Sequence, residues 1–430
     1  MEVCSATGSD LGDAIARLSH GSVLVVGDTM LDRYVFGAVH RISPEAPVPV
    51  LAVERELALP GGAGNVVRNL SALGAAAALV SVVGDDQAGS DLTGLVGGQI
   101  NVEPWLLVQS GRCTTVKTRF VADGQQLLRT DQEVTAPIHP RLAERMIRIA
   151  GDAMVATSVT ILSDYAKGVL AGETPRQLIA MAKAAGRPVV VDTRGGGEER
   201  FTGADVLVLT VRALESATEM AVATDKQCAG AARWLCTKLG VPAVVINRRA
   251  DGLMAVTPDH SVLVPAAARE LMDFTGIGDT VVASLAAGLA AGLDLSRCTR
   301  VAALAASIAA SRVGMAVAET GELLAMLTPQ GRAMRKVVTV QDAAEQVRRW
   351  RQSGIKSAYL AAGPQGLDAK LGELSRSGFD RLIVGAENWQ EADLLAIAGM
   401  PDIDLICSFD EADEQDPVKA LRPDTILCAD

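Results

Sequence analysis

The stretch Val23-Leu24-Val25-Val26-Gly27-Asp28-Thr29-Met30-Leu31-Asp32 decides the fold class. Four successive aliphatic residues, three of them β-branched, make a strand that is apolar on both faces, and the glycine after them ends it. Runs of the same kind recur at Leu79 to Val83, Val159 to Leu162, Val189 to Val191, Val206 to Leu209 and Val244 to Ile246, alternating with Ala-rich helical segments. This alternation predicts βαβ units and an α/β fold, with a mostly parallel central sheet and helices on both faces. Such sheets bind ligands outside the carboxyl ends of their strands, so the run delivers Asp28 and Asp32 to the ligand side; either could instead cap a turn.

Downstream, Tyr34 to Glu56 breaks the alternation. It contains Arg41-Ile42-Ser43-Pro44-Glu45-Ala46-Pro47-Val48-Pro49-Val50. Three prolines exclude a helix and disfavour a central strand, which predicts edge strands or an excursion serving as a lid or a dimer contact. With 430 residues, 49% hydrophobic and 21% charged, the chain can bury large cores in two or three domains. Leu327-Thr328-Pro329-Gln330-Gly331 interrupts the helical pattern, so the linker is expected within Thr320 to Lys336. Residues 337 to 430 carry 17 acidic and 9 basic side chains, -8 of the net -11, and read as a separate acidic unit.

The charge and the 3% aromatic content argue against nucleic acid as a partner. The longest candidate membrane stretch, between Asp279 and Asp294, holds fourteen residues, short of the ~20 that span a bilayer. Met1-Glu2-Val3-Cys4 has an acid where a secretory signal carries a base, and the seven cysteines form no C-x-x-C pair. A reducing cytoplasm is the expected compartment.

There is no Walker loop. Asp273-Phe274-Thr275-Gly276-Ile277-Gly278-Asp279-Thr280 precedes the helical pattern Val281 to Leu293. Its two glycines let the backbone turn tightly and converge N–H groups at the positive end of a helix, which could form an anion hole for a transferring phosphoryl group. Asp279 could then accept the proton of an attacking hydroxyl. Alone, the motif also reads as an ordinary strand-to-helix turn. Pro60-Gly61-Gly62-Ala63-Gly64-Asn65 leads into Val66 to Leu73. It permits close approach of a ligand, with Asn65 offering a donor and an acceptor to sugar hydroxyls, or is simply a loop of small residues leading into a helix.

Taken together and in order, GDTMLDRYVFG, RISPEAPVPV, PGGAGN, TTVKTRF with QQLLR, LSDYAKGVL and DFTGIGD resemble the ribokinase (PfkB) family of carbohydrate kinases. The resemblance is to its heptose 7-phosphate kinase branch, which is joined to an adenylyltransferase, and it covers about residues 20 to 320. It implies a kinase domain over 1–325, with Tyr34 to Glu56 as a β lid that often joins two subunits into a homodimer, and a smaller α/β domain over 337–430. The implied reaction is ATP- and Mg2+-dependent phosphorylation of the anomeric hydroxyl of a sugar phosphate such as D-glycero-D-manno-heptose 7-phosphate. By resemblance Asp279 is the base, Gly276, Ile277 and Gly278 form the anion hole, and Asp32, Gly62 and Asn65 hold the sugar. Lys117, Arg119, Arg129 and Lys167 lie in the matching motifs and could neutralise the substrate phosphate, or be solvated surface cations.

The chain departs from that pattern on the nucleotide side. Arg212-Ala213-Leu214-Glu215 stands where the family usually has N-x-x-E, keeping Glu215 for the metal and losing the Asn. Asn247-Arg248-Arg249-Ala250-Asp251-Gly252 replaces T-x-G-x-x-G. Asn247, Arg249 and Gly252 would line the nucleotide, and Arg249 could clamp a phosphate or block the site. Ile277 takes the place of an Ala and Ser307 that of an Asn near the adenine. The C-terminal part resembles a shortened, degenerate nucleotidyltransferase domain at Val337-Val338-Thr339, Trp350-Arg351, Asp380 to Gly385 and Leu421 to Asp424. That chemistry needs an H-x-G-H pair, and the histidines are His20, His40, His139 and His260. No nucleotidyl transfer is expected. The alternative to a kinase is a pseudokinase acting as a sugar-phosphate-binding scaffold or sensor.

Overall fold

A computed structural model describes residues 2–5, 9–122, 125–194, 196–267, 275–312, 314–361, 363, 367, 371, 378–410 and 416–428. The chain divides into two compact units, Met1–Leu324 and Ala325–Asp430.

In chain order the strands of the first unit are β1 (Glu2–Val3), β2 (Ser22–Gly27), β3 (Thr29–Ile42), β4 (Pro49–Gly62), β5 (Ala76–Gly84), β6 (Val102–Gln109), β7 (Val116–Ala122), β8 (Gln125–Gln132), β9 (Val159–Asp164), β10 (Val189–Thr193), β11 (Val206–Thr210), β12 (Ala243–Asn247), β13 (Leu253–Val256) and β14 (Ser261–Val264). Each aliphatic run named above lies inside one of them. Ten form a sheet in the order β1-β14-β13-β12-β11-β10-β9-β2-β5-β6, parallel except for the antiparallel pairs β12 with β13 and β13 with β14.

Val23, Leu24, Val25 and Val26 are completely buried because both faces of the sheet are covered. Leu24 and Val26 share a core with Met146, Leu178 and Leu235 from helices Pro140–Ala156, Thr174–Ala184 and Asp225–Leu239. Successive strand residues point to opposite faces, so Val23 and Val25 face the other layer, where helices Ala63–Ala72 and Ile277–Ala290 pack against β2. Local chemistry sets the helix limits: Asp225–Leu239 starts at a Thr224/Gln227 capping box and stops at Gly240, whose φ is +62°.

A second sheet, β4-β3-β7-β8, leaves the first directly after β2. β3 and β4 form a long antiparallel hairpin closed by Ser43 N–H donating to the Val48 carbonyl at 2.9 Å. Pro49 opens edge strand β4, where its missing N–H is harmless. The excursion is larger than Tyr34 to Glu56, because β7 and β8 extend it with β7 parallel to β3. The interval expected to hold the linker contains two short helices, Thr320–Met326 and Pro329–Met334, and Thr328 caps the second.

In the second unit β15 (Val337–Val338), β16 (Ser357–Ala361), β17 (Arg381–Glu387), β18 (Leu405–Phe409) and β19 (Thr425–Cys428) form a parallel sheet ordered β15-β18-β17-β16-β19. Ala358, Leu360, Leu382, Val384 and Ile406 build one core, while Tyr359, Ile383, Leu405 and Cys407 build the other, under helix Val340–Gln352. Most of the interval between Gly363 and Asp380, read as too short for a nucleotidyltransferase loop, lies outside the described residues.

Candidate active site

The carboxyl ends of three neighbouring strands, β10, β9 and β2, meet the N-terminus of helix Ile277–Ala290. Asp279 sits in the first turn of that helix and is 2% exposed. Gly276 precedes it at φ +78°, where a side chain would crowd Asn65 Nδ2 at 2.8 Å. Asp273 and Phe274 lie outside the described residues. Three groups donate to the Asp279 carboxylate. Asn65 Nδ2 reaches Oδ2 at 2.8 Å, the Tyr165 hydroxyl reaches Oδ1, and an Arg194 guanidinium nitrogen lies 3.3 Å from Oδ1. Burial pushes the Asp279 carboxyl above its usual range, and Arg194, Tyr165 and Asn65 pull against that shift. Thr280 Oγ1 donates to Asn69 Oδ1, and Asn69 Nδ2 donates to the Asn65 carbonyl, both at 2.8 Å, which ties the Ala63–Ala72 helix to the turn that carries Asp279.

Asp28 takes the capping role left open by the sequence. It accepts N–H bonds from Tyr165 at 2.9 Å, Lys167 at 3.0 Å and Val169 at 3.0 Å, and so shapes the loop that carries Tyr165 to Asp279. Asp164, one strand over, accepts from Thr193 Oγ1 at 3.1 Å, from Ala166 N–H at 3.0 Å and from Arg200. Asp192, at the end of β10 and 5% exposed, lies 3.6 Å from Arg194, and burial pushes its carboxyl up to about 6. The Arg194 guanidinium stacks over the Tyr165 ring, 4.5 Å from its centroid.

On the acceptor side Asp32 is buried on β3 and ion-paired with Arg119 of β7. A Cβ at Gly61 would collide with the Asp32 carboxylate, and one at Gly62, whose φ is +58°, would meet the Asp28 carbonyl at 2.5 Å. The glycines therefore let β4 close on the Asp32 carboxylate and the Asp28 carbonyl, and Gly62 shapes the turn without a side chain of its own. Asn65 Oδ1 is buried and has no hydrogen-bond partner. Lys117 pairs with Asp131 at 2.8 Å and Glu133 at 3.3 Å, Lys167 with Glu133 at 2.9 Å, and Arg129 with Asp131 at 2.9 Å. Lys117 and Lys167 are mostly buried rather than solvated. Lys167 holds Glu133 below its usual range, and Lys117 with Arg129 overcomes burial to do the same for Asp131.

The four residues read as nucleotide contacts converge. Asn247, Arg249, Gly252 and Ser307 line one small concavity with Ile277 and Ala303. Arg249 occupies φ +59°, the conformation for which the motif's glycine suits this position, and its N–H donates to Asn247 Oδ1 at 3.0 Å. It forms part of the wall. The Ser307 hydroxyl is engaged with backbone, donating to the Ala303 carbonyl at 2.8 Å and accepting Ala267 N–H at 2.9 Å. Gly252 is at φ +88°, and a side chain there would collide with the Val264 carbonyl. Glu215 and Arg212 are exposed on helix Val211–Thr218. Among the described residues no three His, Cys, Asp or Glu side chains cluster as metal ligands, and magnesium commonly takes one or two carboxylates together with the phosphates of its nucleotide.

Sequence reading missed Tyr165 and Arg194 as partners of Asp279. Arg194 follows β10 as Asp28 follows β2, so the strand-end rule would have found it if applied there too.

The sequence profile of the pfkB family carbohydrate kinases matches residues 21–320. The bifunctional protein HldE of Acidiphilium cryptum is 48% identical over 97% of this chain and 90% of that protein. The bifunctional protein HldE of Caulobacter vibrioides is 36% identical over 97% of this chain and 91% of that protein. Among solved structures, Arabidopsis thaliana ribokinase complexed with ribose and ATP superposes with a TM-score of 0.57 at 22% identity, over 72% of this chain and 99% of that one. Phosphofructokinase-2 from Escherichia coli, in complex with substrates and products, gives 0.61 at 18% identity over 71% and 99%. These two likenesses concern the fold alone.

Proposed function

The chain belongs to the pfkB family of carbohydrate kinases, and on that premise we propose that it transfers the γ-phosphoryl group of magnesium-bound ATP to the anomeric hydroxyl of a heptose 7-phosphate of the D-glycero-D-manno type. The observation that carries this reading is a single helix N-terminus where the buried Asp279 carboxylate and the Gly276 to Gly278 amides stand within one turn. The acceptor hydroxyl gives its proton to Asp279 as its oxygen bonds to the γ-phosphorus. The bond from that phosphorus to the bridging oxygen breaks and releases ADP. Main-chain amides and the positive helix end stabilise the charge on the group in flight.

Asn65 Oδ1, buried and unpartnered, offers an acceptor to a sugar hydroxyl, and Asp32 with Arg119 offers a second polar contact beside it. The substrate phosphate would exchange with Asp131 and Glu133 for Lys117 and Lys167. Exposed Ile42, Val48, Val53 and Leu57 on the lid support a homodimer formed through that sheet. No described helix is long and apolar enough to cross a membrane, which is compatible with a cytoplasmic kinase. The second unit would not transfer nucleotides, because no histidine follows His260 to supply the H-x-G-H pair.

Exchanging Asp279 for Asn should abolish ADP release while leaving calorimetric binding of the sugar phosphate intact; a variant with undiminished turnover refutes the assignment. The scaffold reading draws on Arg249, a bulky residue at positive φ in the wall of a small nucleotide-side concavity. Titration with magnesium-ATP separates the two, because a scaffold without nucleotide chemistry gives no binding heat.

A further inference from the structure

Arg194 faces two buried carboxylates. Its guanidinium lies 3.3 Å from Asp279 Oδ1 and 3.6 Å from Asp192 Oδ2, yet its side chain is 41% exposed while the two carboxylates are buried. A Cβ added at Gly278 would collide with an Arg194 guanidinium nitrogen. The cation therefore overlies the glycine turn whose amides form the anion hole. The Tyr165 ring supports its flat face. Asp192 Oδ2 is buried without a hydrogen-bond partner, so the 3.6 Å attraction is the contact that holds the arginine toward the strand end.

We propose that Arg194 is a catalytic residue that binds the transferring phosphoryl group, serving as counterion to Asp279 before the reaction and to the phosphoryl oxygens during it. This rests on the kinase reading above. In the step, the acceptor O–H proton passes to Asp279, a new P–O bond forms, and the bond from the γ-phosphorus to the bridging oxygen breaks to leave ADP. Asp279 becomes neutral as it takes the proton. Its claim on the Arg194 charge ends at the moment negative charge spreads over the equatorial phosphoryl oxygens. A planar fork beside the amides can meet two of those oxygens at once, which a lysine ammonium cannot do.

The test measures ADP release with ATP and D-glycero-D-manno-heptose 7-phosphate for the wild type, Arg194→Ala and Arg194→Lys. Arg194→Ala should lose about 10²- to 10⁴-fold in kcat, the scale of oxyanion donors and arginine fingers, with the sugar-phosphate KM within about threefold. Millimolar guanidinium should restore at least about tenfold of that loss, and Arg194→Lys should fall between Ala and wild type. Because Arg194→Ala leaves two buried carboxylates without their cation, Arg194→Lys provides the charge-preserving, folded comparison. Turnover of Arg194→Ala within about threefold of wild type overturns the proposal. So does a loss that guanidinium leaves untouched, or one confined to a displaced acid limb with a normal plateau, which would make Arg194 a positioning residue. An inactive wild type sinks the kinase reading together with this one, whereas an active wild type matched by Arg194→Ala sinks this one alone.

Discussion

Replacing Tyr165 by Phe removes one hydroxyl and leaves the ring on which Arg194 stacks. The lost group donates to a fully buried carboxylate that keeps Asn65 at 2.8 Å and Arg194 at 3.3 Å. Burial pushes the Tyr165 hydroxyl well above its ordinary range, so it remains a donor throughout any practical assay. A hydrogen bond to a charged group contributes about 1.5–3 kcal/mol, and 1.36 kcal/mol corresponds to about one pKa unit, so the Asp279 carboxyl should rise by about 1–2 units. The acid limb of the kcat/KM profile, which reports the free enzyme's base, should move to higher pH by the same amount with little change in the plateau. Stability should show the matching sign. A carboxyl raised on folding holds its proton where the unfolded chain has lost it, so its stabilising contribution is complete below the unfolded value of about 3.9 and fades as pH rises through the folded value. Tyr165→Phe raises the folded value further. Its cost should therefore be smallest at the acid end of the pH range and grow toward about 1.5–3 kcal/mol as pH rises through the shifted value, read from urea unfolding across pH. An acid limb that stays in place, or moves to lower pH, refutes the claim that Tyr165 stabilises the ionised base.

Asp28→Ala strips three backbone N–H groups of their acceptor; with buried orphan donors costing about 1–3 kcal/mol each, a loss of at least about 3 kcal/mol is expected in urea unfolding, together with reduced kcat as the Tyr165 loop loosens. Gly252→Ala forces a side chain into the Val264 carbonyl at φ +88°, which should cost about 2–4 kcal/mol and raise the KM for ATP more than that for the sugar; a neutral change would mean that the strand end shifts freely. Incubation with ATP and heptose 1-phosphate should release no pyrophosphate above a blank, and detected adenylylation would overturn the assignment of the second unit.

The sheet was legible because strands buried on both faces must be aliphatic throughout, so β2, β5, β9, β10, β11 and β12 stand out as runs. β6 and β8 do not. β8 is exposed along its whole length, and β6, whose burial alternates at the sheet edge, carries Glu103 and Pro104 before its apolar residues. The lid's first hairpin was visible through its prolines, but β7 carries Lys117, Thr118 and Arg119, whose strand placement comes from pairing with β3 rather than from local pattern. In the site, Asp279 and the glycines around it could be read because the helix start needs them. Arg194 shares the strand-end position of Asp28, but that position alone names no partner, and only the fold sets it 3.3 Å from Asp279. Of the cations read as phosphate ligands, Arg119 pairs with Asp32, while Lys117, Arg129 and Lys167 pair with Asp131 or Glu133; Asp131 stands opposite Lys117 through the antiparallel register of β7 and β8, which no linear motif displays.

The departures on the nucleotide side are weighed best by what they do to charge and backbone. Arg212 and Arg249 each put a cation where the family pattern has a neutral residue; Arg249 lines the concavity with Asn247, Gly252 and Ser307, and Arg212 is exposed on helix Val211–Thr218. Added positive charge favours a triphosphate, whereas apolar filling would exclude one. Arg249 holds a left-handed conformation that costs a non-glycine residue about 1 kcal/mol or more. Asp279 adds a second cost of the same kind, because a carboxylate raised by burial destabilises the fold at neutral pH. Three donors from separate elements offset that cost in part, and an Asn at position 279 would remove it altogether. A scaffold that only binds a sugar phosphate has no use for a buried base; a kinase requires its proton affinity.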